Sequence, residues 1–253
     1  MNIWEALVFV LAYMCIWFVI AVIKKRNDVA DTAWGLGFVV LAWACFLIGT
    51  RNSTALLVNL LVTVWGLRLA YHIHKRNHNK PEDARYQQWR AQWKYFYTHS
   101  FFQVFMLQGV LLWLIAWPII VVNGPRLQTS LNGWSWLAVF VWCIGFAFES
   151  IGDAQLKRFI ANPANKGKLM MSGLWKYSRH PNYFGEITQW WGIFIIAISL
   201  YQEWFLVVSP LTITVLIVFV SGISMTEKRY EGRADWAEYK KRTSVLIPLP
   251  PRT

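Results

Sequence analysis

The sequence is poor in acidic residues and in cysteine. Its 13 Asp and Glu are outnumbered by 25 Lys and Arg, which gives a formal net charge of +12 at pH 7. The three cysteines, Cys15, Cys45 and Cys143, lie in apolar stretches without paired spacing, so neither a disulfide framework nor a metal site is predicted. The cations are sorted by loop rather than gathered in one patch, a pattern typical of membrane orientation. We therefore expect no nucleic acid among the partners and no bound metal.

The common nucleotide-binding and hydrolytic motifs are missing as well. Gly35 and Gly37 belong to a Gly-Leu-Gly string inside an apolar run, without the third glycine or the preceding strand of a Rossmann fingerprint. A Walker loop, a His-Glu-x-x-His zinc motif and a Gly-x-Ser-x-Gly elbow are also absent. Any dinucleotide must therefore be held by membrane helices and loops, and neither hydrolysis nor phosphoryl transfer is predicted.

Apolar residues, in contrast, are abundant. They make up 56% of the 253 residues, aromatic residues make up 17%, and the mean hydropathy is positive. Such a chain cannot bury its apolar surface in a soluble core and must lie in lipid. The 17 tryptophans fit interfacial belts. The first apolar run has about 20 residues, no charged leader and no small-residue cleavage site, which predicts a retained membrane span.

Seven apolar runs are each close to the length that a bilayer requires. Basic loops follow the first, third, fifth and seventh runs, whereas the other loops carry only Arg51 and Arg126, so the positive-inside rule puts the N-terminus outside and the C-terminus in the cytoplasm. We predict an all-α membrane protein, a bundle of about seven transmembrane helices that forms a single domain in a bacterial inner membrane. The runs cover residues 3–23, 32–49, 54–73, 101–122, 134–151, 183–200 and 203–225.

Six ionisable residues are predicted to share the cytoplasmic half of the membrane. A charged side chain at bilayer depth costs at least ~2.5 kcal/mol on insertion scales, so grouping these residues around one polar cavity is favourable. We therefore expect one polar chamber, open to the cytoplasm, with the active site facing that side. Its charged members are Asp31, Arg68, Glu149, Asp153, Glu186 and Glu227.

The stretch that leads into the sixth apolar run reads GLWKYSRHPNYFGE. Pro181 is predicted near the start of a helix, with His180 just before it. Asn182 and Glu186 then share one helical face, where an amide and a carboxylate can bind one ligand. Arg179 and His180 lie beside the positive end of that helix, where an anion is favoured. Alternatively, Arg179 and His180 are interfacial flanks and Glu186 pairs with a neighbouring helix.

A second polar row closes the fifth apolar run. Glu149 and Asp153 are four residues apart and share a helical face, and Lys157 and Arg158 follow one turn later. The carboxylates could hold a ribose hydroxyl or an adenine amino group, and the cations could hold a phosphate. Alternatively, the row is an ordinary helix end with intrahelical ion pairs.

Two further spans carry polar residues that chemistry could use. Asp31 opens the second run ahead of small residues that permit close approach of another helix. Asp31 either lines the chamber or caps its own helix. In the third run, Arg68 and Tyr71 are three residues apart and could face one cavity with a guanidinium and a phenol. Alternatively, Arg68 extends to the cytoplasmic surface.

The string Ser-Arg-His-Pro-Asn-Tyr-Phe-Gly-Glu resembles the signature of the steroid 5-alpha-reductase C-terminal domain family, and the strings DTAWG and WGLRL resemble its uncharacterised bacterial membrane branch. The Arg-His-Pro-x-Tyr part is also similar to sterol C14 reductases and isoprenylcysteine carboxyl methyltransferases. The resemblance is strongest from about Phe146 onward, which implies a cofactor-binding half at about 146–253. In the steroid reductases, residues matching Asp153, Asn182 and Glu186 help to hold NADPH in a seven-span bundle, and the resemblance implies the same here.

The resemblance implies an NADPH-dependent reductase that transfers hydride to a conjugated double bond of a lipophilic, steroid-like or isoprenoid enone in the lipid bilayer. The alternatives are an S-adenosylmethionine-dependent methyltransferase of a thiol or carboxylate and a non-catalytic lipid or sterol binder. This chain lacks the early Gln-Glu pair of the steroid reductases, and Trp65 stands at the position that corresponds to their catalytic tyrosine. The predicted catalytic residues are Asp31 and Tyr71, and the predicted substrate-binding residues are Trp34, Trp65 and Arg68. The predicted cofactor-binding residues are Glu149, Asp153, Lys157, Arg158, Arg179, His180, Asn182, Tyr183, Glu186, Arg229 and Tyr239.

Overall fold

The computed structural model describes residues 1–125 and 130–252, and the predicted loop cation Arg126 lies outside these ranges. The regular structure of the described residues is helical, and no strand occurs among them. The helices are α1 (Ile3–Lys24), α2 (Val29–Ile48), α3 (Ser53–Asn77), α4 (Ala84–Gln92), α5 (Phe96–Ile115), α6 (Trp117–Val122), α7 (Gly133–Ala161), α8 (Pro181–Tyr201), α9 (Trp204–Lys228) and α10 (Ala234–Arg242).

Two of these helices are irregular. Helix α5 contains a π-helical stretch at Ser100–Met106, and α9 contains one at Leu216–Val220. Helix α9 also opens with the 3-10 turn Trp204–Val207. Two further 3-10 turns, Pro163–Asn165 and Gly173–Lys176, lie in the loop between α7 and α8.

Six of the described helices are long and apolar enough to cross a membrane, namely α1, α2, α3, α5, α7 and α9. Helix α8 has 21 residues but is not among the six, because Asn182, Glu186 and Gln189 lower its mean hydropathy. The predicted all-α membrane class with about seven helices is confirmed. The predicted orientation, with the N-terminus outside and the C-terminus in the cytoplasm, stays a prediction.

The chain divides into two compact units. Unit 1 comprises Met1–Leu131 and Leu200–Ser209, and unit 2 comprises Asn132–Ser199 and Pro210–Thr253. The half that was predicted to bind the cofactor, at about 146–253, therefore falls largely in unit 2. The single domain stays a prediction.

In unit 1, α2 and α3 approach each other closely. A Cβ atom added at Gly35 would lie 2.8 Å from the Gly66 carbonyl oxygen, so the two backbones meet where only glycine fits. The predicted close helix approach is thus confirmed. Nearer the start of α3, the buried amide of Asn59 exchanges hydrogen bonds of 3.0 and 3.3 Å with that of Asn123, which directly follows α6, and this satisfies polar groups inside an apolar interior.

In unit 2, the loop residue Leu169 packs with Trp236 and Tyr239 of α10 in a small apolar core, and Tyr230 packs against it. Helix α7 starts with a capping box in which Asn132 and Ser135 satisfy each other's backbone. The apolar core thus joins the loop between α7 and α8 to α10, and the capping box fixes the start of α7.

Candidate functional site

Helices α7 and α8 of unit 2 touch backbone to backbone along a contact that we call the α7–α8 seam. A Cβ atom added at Gly145 would lie 2.6 Å from the Gly185 carbonyl oxygen, and one at Gly192 would lie 3.0 Å from the Ala138 carbonyl oxygen. Glycine permits this approach because it has no side chain. The polar side chains that flank these glycines therefore reach across to the opposite helix.

Two polar pairs cross the seam. Gln189 Nε2 donates to Glu149 Oε2 at 2.6 Å, and Asn182 Nδ2 donates to Asp153 Oδ1 at 3.1 Å. Glu149 is only 3% exposed, whereas Asp153 and Asn182 are half-buried. The structure thus brings the two predicted polar rows together and gives each carboxylate of α7 an amide partner on α8.

Two acceptor oxygens of these pairs have no hydrogen-bond partner. Asn182 Oδ1 and Gln189 Oε1 are both buried and unpaired. A buried polar atom left unpaired destabilises a fold by about 1–3 kcal/mol, and such atoms are uncommon in native proteins. Together with the Asp153 carboxylate, these oxygens form an acceptor set that suits the hydroxyl and amino groups of a ligand.

Two other predicted residues of α8 lie beside this set. Glu186 is on the helical face between the two amides and is half-buried. The Tyr183 hydroxyl lies 3.4 Å from Thr226 Oγ1 of α9, and the Tyr183 ring stacks on the His180 imidazole, with ring centroids 5.3 Å apart. Tyr183 therefore joins the start of α8 to the end of α9.

Arg179 and His180 are buried, and both contact one carboxylate. Arg179 Nε donates to Glu227 Oε1 at 2.8 Å, and His180 Nε2 lies 3.1 Å from the same oxygen. Arg179 Nη1 also donates to the carbonyl oxygens of Lys240 and Thr243. These contacts tie the start of α8 to the ends of α9 and α10, whereas the alternative in which Arg179 and His180 flank the membrane interface stays a prediction.

Tyr239 supports the same region from α10. Its buried hydroxyl donates to the Trp175 carbonyl oxygen, and burial raises the pKa of this phenol above its usual value. The Trp175 indole in turn donates to the Gly152 carbonyl oxygen at 3.1 Å. Tyr239 is thus linked through Trp175 to α7, one residue from Asp153.

The remaining predicted cofactor residues are on the surface. Lys157 and Arg158 are exposed on α7, one turn beyond Asp153, and Arg229 is exposed just after α9. Such solvated cations are accessible to an anion. No group of three or more His, Cys, Asp and Glu side chains among the described residues is placed to hold a metal ion.

Asp31 lies in unit 1, where two side chains of α4 contact its carboxylate. The Tyr86 hydroxyl donates to Asp31 at 2.8 Å, and Arg85 donates to it at 3.4 Å. Burial, followed by the Asp31 carboxylate, raises the pKa of the Tyr86 phenol well above its usual value. Asp28 occupies the N-cap position of α2, so the alternative in which Asp31 caps the helix is wrong.

The other predicted residues of unit 1 differ in their surroundings. Tyr71 is 63% exposed, and its hydroxyl accepts a hydrogen bond of 3.3 Å from a lysine one turn later. Trp65 is buried edge-on against Phe38, which Trp34 also contacts edge-on. Arg68 is half-buried on α3. The two tryptophans therefore belong to the α2–α3 packing, and Tyr71 belongs to the surface.

Several residues of these clusters were absent from the predicted site, among them Tyr86, Thr226 and Glu227. Tyr86 lies in a basic loop with several aromatics, and no spacing in the sequence relates it to Asp31. Thr226 has no signal of its own. Glu227 did carry a signal, since a lone carboxylate closes the last apolar run, but its contacts with Arg179 and His180 depend on the fold.

Residues 17–243 match a family of proteins described as proteins of unknown function, DUF1295. The chain belongs to this family. DUF1295 is a family of the steroid 5-alpha-reductase-like superfamily, which agrees with the resemblance carried by the stretch that leads into α8. The chain is also similar to an uncharacterized protein of Schizosaccharomyces pombe, at 23% identity over 196 residues. The match covers 68% of this chain and 56% of the yeast protein, so the chain spans about half the length of that relative.

Proposed function

We propose that this protein is a membrane-embedded, NADPH-dependent reductase of a conjugated double bond in a lipophilic enone. The observation that carries the proposal is the Asp153–Asn182 pair at the α7–α8 seam, in which Asn182 Oδ1 is buried and unpaired. The pair lies in the half of the chain that most resembles the steroid reductases, and the chain's family belongs to their superfamily.

The polar atoms of the seam fit a dinucleotide. Asp153, Asn182 and Gln189 supply acceptor oxygens for ribose hydroxyls or for the amino groups of a base or carboxamide. Lys157 and Arg158, exposed one turn beyond Asp153, suit phosphate groups. A purely apolar lipid would leave the buried acceptors unpaired, which is unfavourable. A ligand with both hydroxyl and phosphate groups is therefore favoured over a sterol.

NADPH, when bound, supplies a hydride. Asp153 and Asn182 would hold and orient its polar groups, and Glu186 shares their helical face. Arg179 and His180 act as positioning residues through their shared contact with a carboxylate of α9, since they are buried among protein atoms rather than open to a ligand. In unit 1, Asp31 and Tyr71 are the proposed proton-handling residues, and Trp34 and Arg68 are proposed to contact the substrate. Trp65 is buried, so its proposed role is to support Trp34 through Phe38, which both rings contact.

The membrane spans support a lipophilic substrate, because six described helices are apolar enough to lie in lipid and such a substrate reaches the protein from the bilayer. The basic loops support a site that faces the cytoplasm. Mass spectrometry of lipids that co-purify with the detergent-solubilised protein is expected to find an enone or its reduced form.

Thermal unfolding in detergent distinguishes the cofactors. A ligand at 100 times its dissociation constant stabilises the folded state by ~2.7 kcal/mol, so NADPH should raise the Tm by several degrees and S-adenosylhomocysteine should leave it unchanged. The reverse result would identify the methyltransferase. Protection by neither compound would contradict the proposal and favour a lipid or sterol binder.

A pair of variants tests whether the protection by NADPH depends on the α7–α8 seam. Asp153→Asn keeps the size of the side chain but replaces one acceptor oxygen by a donor, so most of the protection by NADPH should be lost. Glu238→Gln makes the same chemical change on exposed α10 and should keep the protection. Equal protection of both variants would remove Asp153 from the proposed site.

A further inference from the structure

The C-terminal residues 243–249, which we call the C-terminal strap, lie alongside the stretch that leads into α8. Ser178 and Ser244 form a parallel bridge, and the Arg179 amide donates to the Ser244 carbonyl oxygen at 2.8 Å. Ser178 Oγ donates to the Leu246 carbonyl oxygen at 2.7 Å. The Leu249 amide donates to a carbonyl oxygen of the same stretch at 3.0 Å. These hydrogen bonds fix the register of the strap.

Side chains alternate between half-buried and exposed along the strap, whose backbone bends at residues 245–247. Val245, Ile247 and Leu249 are 42%, 60% and 50% exposed, whereas Ser244 and Leu246 are half-buried. The outward face of the strap is therefore a row of three branched apolar side chains. Water is an unfavourable surrounding for such a row, and the hydrogen bonds prevent the strap from turning it inward.

The position of the strap in the chain puts it close to membrane helix ends. It is bound to residues 177–179, which directly precede the start of α8 at Pro181, and α9 ends at Lys228, shortly before α10. Exposed cations flank the apolar row, with Lys240, Lys241 and Arg242 before it and Arg252 after it. Apolar side chains next to a cluster of Lys and Arg are typical of segments that lie in the interface of an anionic membrane.

We propose that the outward face of the C-terminal strap, Val245, Ile247 and Leu249, is seated in the headgroup region of the membrane that the chain spans, with anionic phospholipids as its partner. A stable protein interface buries about 800 Å² on each partner, far more than three side chains offer. A membrane contact needs no such area, because the spanning helices already hold the strap at the lipid surface. The strap therefore meets lipid at a high effective concentration, and a small contact suffices. The flanking cations complement the charge of anionic headgroups.

Spin labels on the strap test the apolar contact. In a full-length variant with Cys15, Cys45 and Cys143 replaced by alanine, single labels are placed at Val245→Cys, Ile247→Cys and Leu249→Cys, with Glu238→Cys on the exposed side of α10 as the control. In lipid nanodiscs, the three strap labels should be relaxed several-fold more by oxygen, which partitions into lipid, than by a water-soluble nickel chelate. The control label should show the opposite preference.

Two outcomes of this measurement would overturn the proposal. Strap labels that are relaxed mainly by the nickel chelate would place the face in water. Strap labels that are immobile and shielded from both reagents would place it against a protein, such as a second copy of the chain. Size-exclusion profiles and circular dichroism of each variant show whether the fold is retained, and all substituted strap positions are exposed.

A second experiment varies the charge of the lipid and tests whether the partner is an anionic phospholipid. The ratio of oxygen to nickel relaxation at Ile247→Cys should rise at least twofold when phosphatidylglycerol is added to phosphatidylcholine nanodiscs. In the background Lys240→Gln, Lys241→Gln and Arg242→Gln this rise should disappear. If the relaxation ratio at Ile247→Cys is the same in both lipid mixtures while Lys240, Lys241 and Arg242 are intact, anionic phospholipid is not the partner and the proposal is contradicted.

Discussion

The Arg179 guanidinium and the Glu227 carboxylate form an ion pair in which Nε and Oε1 are 2.8 Å apart. Their side chains are 9% and 16% exposed, and the same carboxylate lies 3.1 Å from His180 Nε2. One carboxylate at the end of α9 therefore contacts both Arg179 and His180, the two residues that precede α8. The exposed pair of Arg242 and Glu238 on α10, at 2.9 Å, offers a matched contrast.

Removal of the Glu227 carboxylate is expected to destabilise the fold strongly. Glu227→Ala should lower the free energy of unfolding by about 3 kcal/mol, because it leaves a buried guanidinium without its counter-ion. Glu238→Ala should change it by no more than about 0.5 kcal/mol, since exposed pairs contribute little. Denaturant unfolding in detergent measures both, and similar losses in the two variants would contradict a structural role for the buried pair.

The α7–α8 seam is expected to tolerate no side chain at Gly185. A Cβ atom there would overlap the backbone nitrogen of Glu149 and lie 2.5 Å from the Gly145 carbonyl oxygen, whereas a Cβ atom at Gly133 would meet nothing within 4 Å. Gly185→Ala should therefore lower the free energy of unfolding by about 1–3 kcal/mol, and Gly133→Ala should not. A Gly185→Ala variant as stable as the parent protein would show that the two helices are not in backbone contact.

The phenols of Tyr86 and Tyr71 in unit 1 are expected to contribute differently to the stability of the fold. Tyr86→Phe removes the hydrogen bond to Asp31 and should lower the free energy of unfolding by about 1.5–3 kcal/mol, as for other hydrogen bonds to charged groups. Tyr71→Phe changes an exposed residue and should have almost no effect. The same denaturation experiment compares the two, and a loss confined to Tyr71→Phe would contradict the described contacts of Asp31.

Alkaline pH is expected to reduce the contribution of Tyr239 to stability. Burial raises the folded-state pKa of this phenol above the usual 10.0. A group with a raised folded pKa contributes stability that is fully present below the unfolded pKa and is lost as the pH rises through the folded pKa. The stability difference between the parent protein and Tyr239→Phe should thus be constant below pH 10 and should shrink by up to about 1.4 kcal/mol per pH unit above it. If the stability difference between the two proteins stays constant up to pH 11, the Tyr239 phenol is not buried as described.

The sequence predicts the membrane class and the polar faces of α7 and α8 well, because both depend on local spacing. Glu149 and Asp153 share a face through their four-residue separation, and Pro181 sets the start of α8, which orients Asn182 and Glu186. The ends of helices are predicted less well. The apolar run 134–151 marks the part of α7 that suits lipid, whereas the helix continues to Ala161, since a helix does not stop where the lipid ends.

The contacts between distant residues are not contained in any local pattern. Tyr86 reaches Asp31 across 55 residues of sequence, and Glu227 reaches Arg179 across 48. The C-terminal strap is likewise missed, because its hydrogen bonds join the tail to a loop. Neither residue spacing nor hydropathy relates such partners, which only packing brings together.

The proposed cofactor site is tested most directly by isothermal titration of NADPH into the purified protein in detergent. The variants Asn182→Ala and Thr188→Val are titrated in the same way. Thr188 lies on α8 and its hydroxyl bonds only its own helix at the Phe184 carbonyl oxygen among the described contacts, so Thr188→Val controls for changes in that helix. We predict NADPH binding that Asn182→Ala weakens roughly 5- to 10-fold, the loss of about one hydrogen bond, and that Thr188→Val leaves unchanged. No binding to the parent protein, or equal affinity in all three, would contradict the proposal that the α7–α8 seam holds NADPH.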